Sequence, residues 1–208
     1  TSTLPIYAHV LYRVDNTELR LASLISEGAP IIKTLAKEYP PMHIGDKDLA
    51  IDSRGEAHYA YIIQFASFPN KSRIMYGKYP NVKVEEIPMP NAATRTCVPT
   101  AISIAIDSQD TPYIIFNVVE SSPLPRMHTY MAKRTLNGWD VRLIFYDGLF
   151  NAFDIDLDFD RNGNAHCAYN LYVGIVGPKR LYWQEIYVAN WPNLSILRYE
   201  YIDGGVVA

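Results

Sequence analysis

Between residues 101 and 107 small or polar side chains alternate with Ile102, Ile104 and Ile106, the period-two pattern of a strand with one apolar face. A turn over 108–111 separates this run from a second apolar run over 112–119. The arrangement recurs. Residues 52–61 read Asp-Ser-Arg-Gly-Glu-Ala-His-Tyr-Ala-Tyr, 107–116 read Asp-Ser-Gln-Asp-Thr-Pro-Tyr-Ile-Ile-Phe, and 160–169 read Asp-Arg-Asn-Gly-Asn-Ala-His-Cys-Ala-Tyr, starting 55 and 53 residues apart. Gly55 and Gly163 suit the positive φ of a tight hairpin. A period near 50 residues built from short alternating strands predicts propeller blades, each burying its faces against its neighbours.

Each copy continues with a loop and a third strand opening on a basic residue, at Arg73, Arg126 and Arg180. A fourth strand follows over 82–87, 139–145 and 195–201. Residues 5–9 align with the second strand, 19–23 with the third and 30–39 with the fourth, so the first blade lacks its innermost strand. The fold class is therefore all-β, a propeller of about four four-stranded blades in one domain, 1–208, with blades near 1–44, 45–98, 99–151 and 152–208. Either residues 206–208 begin a strand that closes a four-bladed ring, or these are four blades of a larger ring. Open edges at both ends would favour homo-oligomers.

The phrase at 51–61 resembles blades of the sialidase-like, or BNR-like, propellers, a superfamily that includes lectins, glycosidases and polysaccharide lyases. The resemblance implies architecture only. His58 and His166 stand near where the Asp-box of sialidases places Trp, and no catalytic residue of the family carries over.

Composition narrows the function classes. With 49% hydrophobic and 20% charged residues the chain reads as globular, and a net charge of −3 with both signs scattered offers no basic stripe for nucleic acid. No apolar run reaches a membrane span. The two cysteines, Cys97 and Cys167, read as buried thiols. Tyr and Asn richness suits an extracellular or cell-surface bacterial protein. The serine-hydrolase elbow, phosphate loop, zincin and paired-Cys zinc motifs are absent.

Candidate chemistry falls in four groups. Asp154, Asp156, Asp158 and Asp160 lie on one side of a strand, and Asp156, Asp158, Asp160 and Asn162 match the opening of a calcium loop, without the closing Glu. Ca²⁺ is thus the candidate ion, although no cofactor is required. Asp48 and Asp156 would make a central channel acidic. Arg73, Arg126 and Arg180, with Tyr76, Tyr130 and Trp183, are candidates for gripping an acidic sugar between guanidinium and ring. His43, Arg95, His128 and Tyr130 are the non-repeated residues that an enzyme would use, whereas His58 and His166 recur and read as loop-bonding residues. Sixteen Tyr, seven Phe and three Trp tilt the reading towards recognition. The expected function is a non-catalytic, lectin-like glycan-binding module with a carbohydrate or protein surface as partner. The alternatives are an assembly propeller, or a fragment of a sialidase-like hydrolase or polysaccharide lyase.

Overall fold

The computed structural model describes residues 6–25, 28–65, 72–81, 83–90, 97–121, 125–147, 152–172 and 179–202, with backbone alone at 6–7, 25, 121, 125–126, 145–147, 152–153, 171–172, 179–180 and 197–202. All the regular structure described is β. Among the described residues no helix is long and apolar enough to cross a membrane.

The strands form four antiparallel meanders. Among the described residues the first sheet has three strands, β1 (Ile6–Val14), β2 (Glu18–Ile25) and β3 (Ile31–Lys37), without the innermost strand of the other blades, as the repeat predicts. The second comprises β4 (Met42–Ile51), β5 (Ala57–Phe65), β6 (Arg73–Tyr79) and β7 (Val84–Ile87). The third comprises β8 (Cys97–Ile106), β9 (Pro112–Ser121), β10 (Pro125–Thr135) and β11 (Gly138–Asp147). The fourth comprises β12 (Ala152–Phe159), β13 (Ala165–Tyr172), β14 (Lys179–Tyr187) and β15 (Ser195–Ile202). These are the blades of an all-β propeller of about four blades.

The repeated Asp caps the inner hairpin. Asp52 Oδ1 accepts the amides of Arg54 and Glu56 at 3.0 and 2.9 Å, Asp107 Oδ1 those of Gln109 and Thr111 at 2.9 and 2.9 Å, and Asp160 Oδ1 those of Asn162 and Asn164 at 2.9 and 2.8 Å. One short carboxylate thus satisfies two amides that the hairpin turn leaves unpaired. The left-handed position of that turn is Gly55 (φ 78°), Asp110 (φ 59°) and Gly163 (φ 81°) in the three blades.

Three apolar cores lie between successive blades. Leu19, Leu21 and Leu35 meet Tyr59, Tyr61 and Ile63 in the first. Ala60, Ile62 and Ile74 meet Ile102, Ile114 and Phe116 in the second. Tyr113, Ile115 and Met131 meet Leu157, Cys167 and Tyr169 in the third. Both cysteines are buried thiols. Alternation puts residues 58, 60 and 62 on the face turned to the next blade, and their equivalents 166, 168 and 170 on the forward face of the fourth sheet.

Inner strands are also clasped to one another. Asp46 Oδ2 accepts the Ile102 amide (3.0 Å), and Asp48 Oδ2 accepts the Ile104 amide (2.9 Å) and the Ser103 hydroxyl (2.7 Å). Ser103 Oγ in turn accepts the Leu157 amide (3.1 Å) and lies 3.4 Å from Asp156 Oδ1. The equivalents of Asp46 and Asp48 in the fourth blade, Asp154 and Asp156, are exposed.

Candidate functional site

A cleft of about 280 Å³ opens between the third and fourth blades at the hairpin turns. Asp107, Ser108 and Gln109 form one wall, Asn162 and Gly163 the other, with Tyr113, Lys133 and Val188 towards the floor. Its origin lies in one residue difference. Between the second and third blades, the carboxylate of Asp110 accepts the Ser53 amide (2.8 Å) and the Ser53 hydroxyl (2.7 Å), tying adjacent turns together. At the next junction Ser108 stands where Ser53 stood and Gly163 where Asp110 stood. No side chain is there to make the tie.

The floor is electrostatically organised. Lys133 Nζ sits 5.2 Å from the Tyr113 ring centroid and 6.0 Å from that of Trp191, within cation–π range. Trp191 is itself fixed edge-on to Tyr113, at 5.9 Å and 77°, by an Nε1 hydrogen bond to Asp140 Oδ2 of 2.7 Å. Burial, with the Asp107 carboxylate adding to it, pushes the Tyr113 phenol upward and keeps it protonated. The cleft therefore offers a carboxylate, an ammonium, a hydroxyl and amides around a space for one ring-sized ligand.

The sequence candidates are distributed over several places. Arg73 opens β6, is exposed, and lies 3.5 Å from Glu86. Arg180, opposite Leu171 on β14, takes the place that Arg73 takes opposite Ile63, whereas Arg126 stands two positions away, opposite Glu120, and His128 holds the matching place on β10; the side chains of Arg126 and Arg180 lie outside the described residues. Tyr76 is buried, bonds His58 Nδ1 (2.7 Å) and packs edge-on against Trp139. Tyr130 is buried, stacked on Phe116 and His128. Trp183 stacks on His166 at 5.3 Å. Among the non-repeated set, His43 Nε2 pairs with Gln64 Oε1 (3.0 Å) inside the second sheet, while His128 Nε2 lies 3.5 Å from Glu120 in the third. Arg95 lies outside the described residues.

The calcium-loop quartet does not converge. Asp156 turns to Ser103 at the inner strands, Asp158 Oδ1 accepts the Phe159 amide (2.8 Å), and Asn162 donates to Asp160 (3.3 Å). Asp160 is gathered instead with His166 and Glu185. Burial pushes the Asp48 carboxyl up, against the hydrogen bonds from Ile104, Ser103 and Leu49, and Asp156 adds to the rise.

In the second blade the repeated Asp has a partner that sequence reading missed. Asp52 Oδ2 meets Lys78 Nζ (2.9 Å) and His58 Nε2 (3.2 Å), and Lys78 also reaches Glu56 (2.7 Å). Burial alone would raise the Asp52 carboxyl, but Lys78, the Glu56 amide, His58 and the Arg54 amide hold it well below the usual range. Burial likewise lowers His58, which stays neutral with one nitrogen facing Asp52 and the other Tyr76. The register pairs His58 with Lys78, Tyr113 with Lys133 and His166 with Glu185, a correspondence visible only once strands are aligned.

No protein-family model and no curated protein matches the chain. Among solved structures it is similar to AofleA from Arthrobotrys oligospora, at 13% identity over 93% of this chain and 55% of that one, with a TM-score of 0.49. It is also similar to a bifunctional GH43-CE protein of Bacteroides eggerthii, at 11% identity over 98% and 28% of the two chains, with a TM-score of 0.47. A third is the intramolecular trans-sialidase from Ruminococcus gnavus in complex with oseltamivir carboxylate, at 8% identity over 74% and 34%, with a TM-score of 0.37. The chain spans between about a quarter and just over half the length of these structures, and the likeness assigns no residue.

Proposed function

We propose that the chain is a non-catalytic recognition propeller that binds a saccharide unit in the cleft between its third and fourth blades. The opening left by Gly163 opposite Ser108 carries this reading. It exposes Asp107, Gln109, Lys133 and Asn162, whose donors and acceptors suit the paired hydroxyls of a sugar. A volume of about 280 Å³ suits one ring. Lys133, held over two rings, would favour a sugar bearing a carboxylate. Such a module would work outside the cell.

A glycan array followed by calorimetry tests the proposal. Gly163→Asp, which restores the tie made by Asp110, should abolish binding, Lys133→Ala should weaken it, and Arg73→Ala should leave it unchanged. Undiminished binding by Gly163→Asp would remove the cleft as the site. A wild-type chain with no saccharide partner would remove the function.

The assembly reading keeps one observation of its own. Val10, Ala22 and Ile32 form a cross-strand row on the first sheet, on the face turned from the second blade, with Val10 48% and Ile32 51% exposed and Leu24 beside them. With Asp154 and Asp156 exposed on the fourth sheet, both terminal faces have the character of blade interfaces. Native mass spectrometry decides it: a concentration-independent monomer excludes self-assembly.

A further inference from the structure

We propose that Asp160, His166 and Glu185 of the fourth blade form a divalent transition-metal site, with Zn²⁺ the ion that the donor set fits. Their ligand atoms all lie within 4.8 Å of one another. Two independent features favour a cation there.

First, both sister blades carry a lysine at the equivalent cross-strand position, and in the second it pairs with the cluster. The cross-strand position is Lys78 in the second blade, where the ammonium bridges Asp52 and Glu56 at 2.9 and 2.7 Å, and Lys133 in the third. In the fourth it is Glu185. Arg54, which also pairs with Asp52, is replaced by neutral Asn162, and Glu56 by neutral Asn164. The cluster thus exchanges an ammonium for a second carboxylate while keeping the Asp and the His.

Second, the local geometry is that of a ligand set. His166 Nε2 is buried and faces Asp160 Oδ2 at 3.4 Å, as His58 Nε2 faces Asp52 Oδ2 at 3.2 Å in the second blade. A tetrahedral site with bonds of about 2.1 Å has ligand-to-ligand edges of about 3.4 Å. Asn164 Nδ2 donates to Glu185 Oε1 (3.0 Å) and Asp160 Oδ2 (3.4 Å), orienting both carboxylates as an outer partner does in metal sites. One imidazole nitrogen with two carboxylates suits zinc, whereas calcium takes six to eight oxygens. The side chains of Asp160 and His166 are each 27% exposed, which leaves room for a water or a ligand oxygen as the fourth donor.

The experiment uses the untagged 208-residue chain after chelation, titrated separately with Zn²⁺, Co²⁺ and Ca²⁺ by calorimetry and Trp fluorescence. Trp183, stacked on His166 at 5.3 Å, is the reporter. One equivalent of Zn²⁺ should bind, Co²⁺ should quench Trp emission and give visible d–d bands, and Ca²⁺ should do neither. Glu185→Lys installs the residue that two sister blades already carry, so it should keep the circular dichroism and thermal midpoint of the parent. It should nevertheless weaken Zn²⁺ by more than about a hundredfold, beyond the usual cost of losing an outer partner. His166→Gln should do likewise.

Absence of saturable Zn²⁺ uptake by the parent, or uptake unchanged in both variants, overturns the proposal. Arg198 of β15 stands opposite Glu185 in register and is the competing cation. A parent that ignores Zn²⁺ while Arg198→Gln acquires binding would assign the neutralising charge to Arg198 and overturn the site in the native chain.

Discussion

Gly77 is the position where a single methyl group should be felt most. It faces Tyr59 across β5 and β6, and the Tyr59 ring, fully buried, lies over it. A Cβ at Gly77 would stand 2.7 Å from Cε2 of that ring and nearer still to Cζ and Oη, closer than carbon atoms pack. The ring has nowhere easy to go, being enclosed by Leu19, Leu21, Leu35 and Ile44. Overpacking of this kind costs about 1–3 kcal/mol, and displacing a whole ring belongs at the upper end. Removing glycine from a strand returns roughly 0.5–1 kcal/mol, so Gly77→Ala should cost about 2 kcal/mol. In a chain of this size that is a fall of about 4–8 °C in thermal midpoint. The sister pairs are Ile114 with Ala132 and Cys167 with Gln184, so bulk has been redistributed across the same pair of strands. Tyr59→Ile with Gly77→Ala rebuilds the third blade's pair and should be less destabilised than the sum of the single changes by about 1–2 kcal/mol. Urea unfolding followed by Trp emission and circular dichroism, with coincident transitions, measures all three. Gly77→Ala within about 0.5 kcal/mol of the parent, or additive single costs, would refute the packing argument.

Other expectations follow from single interactions. Asp110→Gly removes both bonds to Ser53 and, at a left-handed position that glycine takes without strain, should open a second cleft that a glycan titration would show as raised stoichiometry; an unchanged stoichiometry would mean that the tie does not close the cleft. Asp48→Ala leaves the Ile104 amide without its acceptor and should cost roughly 1–3 kcal/mol, whereas Asp48→Asn, which keeps an acceptor and removes a charge that burial disfavours, should melt close to the parent. Acid should destabilise the fold in two stages. His58, lowered by burial, contributes stability that is full above about pH 6.5 and is lost as pH falls through its folded value, because the unfolded chain takes up the proton first. Asp52, held far below its ordinary value, contributes stability present above about pH 4 and lost below it. Asp52→Asn should flatten the lower stage in a pH series of thermal midpoints, and an unchanged profile would count against the Lys78–Asp52 pair.

What was legible in the sequence was local. The repeated Asp could be read as a turn residue because it bonds amides two and four positions on, inside one hairpin. The missing strand of the first blade was visible for the same reason, since β1 begins where a second strand should. The cleft was not legible, because it depends on Ser53 meeting Asp110, 57 residues away, and on Gly163 failing to meet Ser108. Nor was the Lys78, Lys133 and Glu185 series. Five residues separate Arg73 from Lys78 but seven separate Arg126 from Lys133, and only cross-strand register aligns them. The calcium-loop residues are likewise placed by their neighbours: Asp156 lies 3.4 Å from Ser103 of the preceding blade, while Asp160 is gathered with His166 and Glu185.

These particulars suggest where specialisation sits in a repeat of this kind. A residue kept in every blade answers a need that every blade has, as the capping Asp does, and so says little about function. Departures carry more information, because the shared architecture shows what each departing residue has given up. In the fourth blade they gather in one hairpin and the strand beside it. Gly163 gives up the tie to the preceding turn, Asn162 and Asn164 give up charge, and Glu185 reverses it. Together they exchange the ion pairs of Lys78 with Asp52 and Glu56 for amide-to-carboxylate bonds, from Asn162 and Asn164 to Asp160 and from Asn164 to Glu185, and they leave out the tie between turns that Asp110 makes to Ser53. The hairpin is thus re-wired around two carboxylates without an ammonium between them. Both proposals, the saccharide cleft and the zinc site, therefore use the same hairpin from opposite sides, and Glu185→Lys and Gly163→Asp separate them by restoring one sister-blade feature at a time.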